Sequence, residues 1–207
     1  MDGKKVIEIL NKIYIKLDNN KAYLTELDAI IGDGDHGLNM SKGFTAVVEK
    51  LKDDNGDNIG DIFKKTGMAL VTNVGGASGP LYGTAFMKAA IAVNGKKDIN
   101  INEFVNALKM ALDGIKQRGK AVEGEKTIID SLAPAIKAME KAIEDGDDDI
   151  TVLEKGKDAA LKGVEFTKTI KATKGRASYL GERSIGHQDA GATSCYYILE
   201  TIYEEVK

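Results

Sequence analysis

The chain has 207 residues, 43% hydrophobic and 29% charged, with a net charge of −3. That length suits one domain spanning 1–207 with a sizeable core, and the slightly acidic balance argues against a nucleic-acid binder. No apolar run approaches the roughly 18 residues needed to span a bilayer. The amphipathic start MDGKKVIEILNK lacks a signal-peptide pattern, and Cys195 is the lone cysteine, so a cytoplasmic protein without disulfides or membrane contact is expected.

Apolar residues recur at helical period along most of the chain. The first stripe is Val6, Leu10, Ile13 and Leu17, continued by Leu24, Leu27 and Ile31 past a weak point at Asp18–Asn20. A second runs from Phe44 to Leu51, a third from Ile59 to Val74 and a fourth from Leu81 to Val93. Asn100 and Glu103 have the spacing of a capping box, opening a fifth stripe from Ile101 to Ile115. The sixth runs from Ile128 to Ile143, with Pro134 as an expected kink. A seventh spans about Ile150–Ala172, opened by Thr151 and Glu154, and an eighth about Gly191–Val206. Alternation never persists, so no strand is predicted. The expectation is an all-α, up-and-down bundle or barrel of eight antiparallel helices. The acidic run EDGDDD (144–149) reads as a solvated inter-helix turn, and Cys195 as core.

Three loops interrupt the pattern, and loops on a rigid bundle are a common way to build a site. The first holds GDGDHG, residues 32–37. It spells a dinucleotide fingerprint, but TELDAII before it continues a helix, whereas that motif needs a strand. A calcium loop starting at Asp33 needs an acidic twelfth residue, and the twelfth is Phe44. A magnesium and phosphate site fits better. Asp28, Asp33 and Asp35 can converge around a glycine-bent turn, and a helix start follows to attract anions. The plainer alternative is a tight turn with capping aspartates.

The second loop, NVGGASGPLYG (73–83), offers glycines, Ser78 and a helix start to a phosphate, or close helix packing through small residues. The third, 173–194, carries Arg176, Arg183, His187 and Asp189. Glu182 is expected to neutralise Arg183, leaving Arg176 for bidentate phosphate contact. Both histidines, His36 and His187, lie in these loops and are expected to serve the ligand.

The segments LDAIIGDGDHGLNMSKGF, TGMALVTNVGGASGPLYGTAF, RGKAVEGEKTIID and KGRASYLGERSIGHQDAGATS, in that order, resemble the L subunit of dihydroxyacetone kinases. The resemblance runs from about residue 20 to the C terminus and implies a barrel of eight antiparallel helices with a nucleotide site at one end. It implies that Asp28, Asp33 and Asp35 ligate two Mg2+ ions, and that His36, Gly37, Leu38, Asn39, Ala77, Ser78, Gly119, Ile128, Arg176, Asp189, Ala190 and Gly191 contact nucleotide. Arg176 and the three aspartates are the expected catalytic set. The family often has proline where this chain has Ala190. In phosphotransferase-dependent members, the resemblance implies, bound ADP is a cofactor. A phosphotransferase-system subunit phosphorylates it, and the γ-phosphoryl passes to dihydroxyacetone on a partner subunit. Two rivals are a freely exchanging ATP-dependent subunit of the same fold and a nucleotide-sensing subunit that binds a transcription regulator.

Overall fold

The computed structural model describes residues 1–207. Nine α-helices account for most of them: α1 (Gly3–Asn19), α2 (Lys21–Ile31), α3 (His36–Leu51), α4 (Ile59–Asn73), α5 (Ser78–Ala92), α6 (Ile101–Gly119), α7 (Ile129–Glu144), α8 (Asp149–Thr167) and α9 (Ala190–Val206). A 3-10 segment, Arg176–Ser184, precedes α9 and bends at Gly181. The only β-pairing is an isolated bridge between Asp2 and Asp98.

Eight of the nine helices close a ring. α1 packs on α3, the order then follows the chain from α3 to α9, and α9 returns to α1. The first stripe of the sequence therefore becomes two helices. Asn20 ends α1 by turning both its backbone N–H (3.2 Å) and its side-chain amide (2.8 Å) onto the Lys16 carbonyl. α2 then lies against α3, α9 and the 3-10 segment instead of joining the ring.

Inside the ring, 44 buried residues form one apolar cluster. Phe86 meets Phe44 and Phe63 edge-on, at centroid distances of 6.4 and 5.9 Å. A void of about 110 Å³ within it is lined wholly by apolar residues. Pro134 is housed inside α7, which runs unbroken from Ile129 to Glu144. Proline cannot donate to the carbonyl four residues back, here that of Asp130. Gly163 of α8 packs on that carbonyl so closely that a Cβ would stand 2.0 Å from the oxygen.

The ends are capped as local chemistry dictates. Asn100 and Glu103 form the reciprocal capping box, each bond 3.0 Å. In the acidic run, Asp148 caps α8 by accepting from Thr151 N–H, while Asp145 and Asp147 pair with Lys141 and Lys155. The stripe drawn to Ala172 stops at Thr167, where the chain turns into the third loop. No helix is long and apolar enough to cross a membrane.

Alternation around the ring has a consequence for charge. The N termini of α3, α5, α7 and α9 open onto one pocket. Each brings the positive end of a helix dipole, and the first N–H groups of α5 and α9 donate to no other group of the chain.

Candidate phosphate and metal site

The pocket has a volume of about 410 Å³. His36, Ser78, Ile129 and Ala190, the first residues of those four helices, all line it. Four dipole ends around one concavity make it attractive to an anion.

Asp28, Asp33 and Asp35 stand on its rim, each offering one carboxylate oxygen within 4.8 Å of the others. The turn that gathers them depends on Gly34, whose φ of 71° is the left-handed region that glycine tolerates. Asp28 Oδ2 accepts from the N–H groups of Asp35 (2.9 Å) and His36 (3.1 Å), so Asp28 caps α3 from one turn away. Asp35 occupies the N-cap position but makes no side-chain cap bond. Asp33 Oδ2 accepts from Arg176 Nε at 2.7 Å. The capping explanation thus covers Asp28 alone. Three convergent carboxylates suit a hard cation such as Mg2+, which takes oxygen ligands and shares them with phosphates.

Across the pocket, the amides of Gly75, Gly76, Ala77 and Ser78 donate to no other group of the chain. Ser78 Oγ lies 3.0 Å from His36 Nδ1, and His36 Nε2 lies 2.8 Å from Ser194 Oγ. Ser194 Oγ in turn lies 2.8 Å from the Tyr82 hydroxyl. Burial holds the His36 pKa below its usual value against the opposing pull of Asp28 and Asp35, and burial pushes the Tyr82 phenol well up.

The third loop is anchored from beneath by Lys126, only 1% exposed. Its ammonium donates to the carbonyls of Thr167 (2.7 Å), Ser184 (2.6 Å) and Ile170 (3.3 Å). That binds the end of α8 to the 3-10 segment carrying Arg176. Burial lowers the Lys126 pKa, with nearby Asp189 acting the other way. Asp189 caps α9 by accepting from Ala192 N–H at 2.7 Å. Burial raises its pKa to about 7, against the lowering effect of that hydrogen bond.

Of the residues singled out in the sequence, Asp28, Asp33, Asp35, His36, Ala77, Ser78, Gly119, Ile128, Arg176, Asp189, Ala190 and Gly191 line the pocket. Gly37, Leu38 and Asn39 do not. Gly37 is pressed against α2, where a Cβ would lie 1.9 Å from the Lys21 carbonyl oxygen. Leu38 is 57% exposed, and the Asn39 side chain abuts Gly75 from behind the glycine loop. His187 also lies off the pocket lining. The expected Glu182–Arg183 pair does not form: Glu182 reaches Lys171 at 3.0 Å. Lys126, Tyr82 and Ser194 were missed. Lys126 sits in the charged stretch EGEK, and Tyr82 and Ser194 fall where the second and third loops overlap the helical stripes that follow.

Fold and site together define a helical barrel whose end pocket combines a carboxylate cluster with helix N termini, an arrangement suited to a metal-bridged phosphate. The chain belongs to the DAK2 domain family, which it matches over residues 30–204. It is 46% identical over 180 residues, 87% of this chain and 86% of the relative, to the PEP-dependent dihydroxyacetone kinase, ADP-binding subunit DhaL, of Escherichia coli (strain K12). It is 44% identical over 200 residues, 97% of this chain and 96% of the relative, to the PTS-dependent dihydroxyacetone kinase, ADP-binding subunit DhaL, of Lactococcus lactis subsp. lactis (strain IL1403). Its fold matches a crystal structure of the dihydroxyacetone kinase from C. freundii in complex with AMP-PNP and Mg2+, with a TM-score of 0.74 and 26% identity. That match covers 96% of this chain but 33% of the kinase, so the chain spans about a third of the longer protein.

Proposed function

We propose that this chain, acting as one nucleotide-binding domain, is the ADP-carrying subunit of a phosphoenolpyruvate-dependent dihydroxyacetone kinase. In this reading ADP and two Mg2+ ions occupy the pocket and exchange slowly. A phosphotransferase-system subunit phosphorylates the ADP in place. The γ-phosphoryl then passes to dihydroxyacetone held on a second partner subunit, giving dihydroxyacetone phosphate. The observation that carries the reading is the meeting of four helix N termini and three convergent carboxylates in one pocket. Neither feature alone is specific. Together they suit a cation-bridged polyphosphate. The cytoplasmic location expected from the sequence goes with this reading.

The residues divide the work. Asp28, Asp33 and Asp35 would hold the magnesium, which when bound supplies charge neutralisation to phosphate oxygens. The free amides of residues 75–78 donate to phosphate. Arg176, held by Asp33 through Nε, keeps its other guanidinium donors for transferable charge. Leu81, Ile115, Gly119, Ala121 and Ile128 give the pocket an apolar part that suits a base. Gly37 and Asn39 then support the loops from behind. Phosphoryl transfer asks an enzyme chiefly for positioning and charge stabilisation, which this set provides.

Native mass spectrometry of the purified chain tests the assignment. The expected result is retained mass equal to ADP plus magnesium, lost when the metal is chelated. A chain that neither retains nor takes up ADP under these conditions overturns it.

A further inference from the structure

Four side chains form a line from the barrel interior to the pocket: Tyr82, Ser194, His36 and Ser78. His36 is 6% exposed, Tyr82 5% and Ser194 fully buried, so the line is largely shut off from bulk water, and it borders the pocket at Ser78, His36 and Tyr82. No carboxylate hydrogen-bonds the ring; its two nitrogens face two hydroxyls.

Counting protons shows what this line can do. A neutral ring has one N–H, and each of the three hydroxyls has one proton, giving four donors. Three links join the four groups, so one proton is left for an acceptor at one end. At the inner end that acceptor is the Gly191 carbonyl, 3.0 Å from Ser194 Oγ and 3.3 Å from the Tyr82 hydroxyl. At the outer end it is whatever lies in the pocket. In the inward arrangement Ser78 donates to Nδ1, Nε2–H donates to Ser194, and Ser194 donates to Gly191. In the outward arrangement Tyr82 donates to Ser194, Ser194 donates to Nε2, and Nδ1–H donates to Ser78. The Ser78 proton is then free to point into the pocket. Aligned hydrogen bonds polarise one another, so a chain of three behind Ser78 makes it a stronger donor.

We propose that Tyr82 and Ser194 are positioning residues that, through His36, aim the Ser78 hydroxyl proton at a phosphate oxygen. The inference rests on the nucleotide reading above. A phosphoryl ligand selects the outward arrangement, and a ligand without phosphate does not. The ring therefore changes tautomer, from Nε2–H to Nδ1–H, when phosphate arrives.

Nitrogen-15 NMR of histidine-labelled protein reads this directly. The chain has two histidines, so a His187→Gln variant assigns the signals of His36. Adenosine with Mg2+ should leave the ring as Nε2–H, and ADP with Mg2+ should convert it to Nδ1–H. Ser194→Ala should hold the ring as Nδ1–H with either ligand, because the Nε2–H form then has no acceptor. Tyr82→Phe should weaken ADP several-fold, up to about tenfold, with adenosine unchanged; a packing role would weaken both alike. If ADP binds and the wild-type ring is the same as with adenosine, or if Ser194→Ala still switches, the relay is wrong while the nucleotide reading stands. If wild type binds no ADP, both fall together.

Discussion

Asp28 and Asp35 divide one helix start between them. Asp28 accepts from the N–H groups of Asp35 and of His36, the first residue of α3, at 2.9 and 3.1 Å, from seven and eight residues upstream. Asp35, at the position that normally caps, keeps its carboxylate free of any cap bond. Substitution should therefore separate stability from metal binding. Asp28→Ala loses the one oxygen that accepts both bonds and should cost about 1–2 kcal/mol in denaturant unfolding. Asp35→Ala should unfold like wild type or slightly later, since like-charge repulsion falls. Both should lose magnesium-dependent ADP retention, measured by calorimetry. Equal retention in Asp35→Ala and wild type would remove Asp35 from the metal site.

Arg176 makes a bridge to Asp33 with side chains 64% and 34% exposed. Exposed pairs of this kind contribute about 0–1 kcal/mol. Arg176→Gln should therefore leave the unfolding midpoint nearly in place while slowing phosphoryl transfer in the reconstituted system. Arg176→Lys should restore little, because a lysine cannot engage Asp33 and a phosphate through one planar fork. Full activity in Arg176→Lys would reduce its role to simple charge.

The fold was legible because the apolar stripes are long and their connections short. Even the break at Asn20 showed as a weak point. What the sequence could not show is the ring order, which brings loops some 40 residues or more apart to one end (about one helical hairpin per step). Side-chain direction was also hidden. Glu182 and Arg183 are neighbours in the chain, yet Glu182 turns to Lys171. Nothing in the charged stretch around Lys126 marks it for burial; the end of α8, the segment after it and the 3-10 segment supply its three carbonyls only in the fold. Tyr82 and Ser194 end the second and third loops in the sequence, but only the ring order brings their hydroxyls together.

Asp189 carries a pH signature. Burial raises its folded pKa to about 7 from the ordinary 3.8. Between those values the folded state holds a proton that the unfolded state has lost, so stability must fall as pH rises through that window. Asp189→Asn keeps an oxygen to cap α9 but cannot ionise. The variant's stability relative to wild type should rise from about pH 4 to pH 7 and level off above. A gap that stays constant across that range would mean that Asp189 titrates normally.

Ala190 is the first residue of α9, where an N–H has no partner within the helix. Asp189 before it is extended, with φ −77° and ψ 126°, as the residue preceding a proline prefers. Ala190→Pro should therefore raise stability by about 0.4–1 kcal/mol through the unfolded state. ADP affinity should be kept, since only one N–H is lost while the amides of residues 75–78 and the other helix starts remain. Loss of ADP binding in this variant would make the Ala190 amide a ligand contact.

The chain alone should not phosphorylate dihydroxyacetone, even with ATP and Mg2+. Holding dihydroxyacetone as a covalent adduct would need a free nucleophile, and the buried candidates here are engaged or unreactive. Both ring nitrogens of His36 are engaged by hydroxyls, and His187 is off the pocket. Cys195 is buried, with burial pushing its thiol pKa to about 12. The Lys126 ammonium donates to three carbonyls. Turnover should appear only with a substrate-holding partner, and turnover from phosphoenolpyruvate only when the phosphoryl-donating partner is added too. An ADP bridged by metal to three carboxylates and held by loops from four helix starts should leave slowly. Radiolabelled free ADP should therefore exchange more slowly than turnover, while label from the donor passes first to bound nucleotide and then to dihydroxyacetone. Rapid exchange with free ATP, with steady turnover in the absence of the donor, would instead make this an ATP-dependent subunit of the same fold.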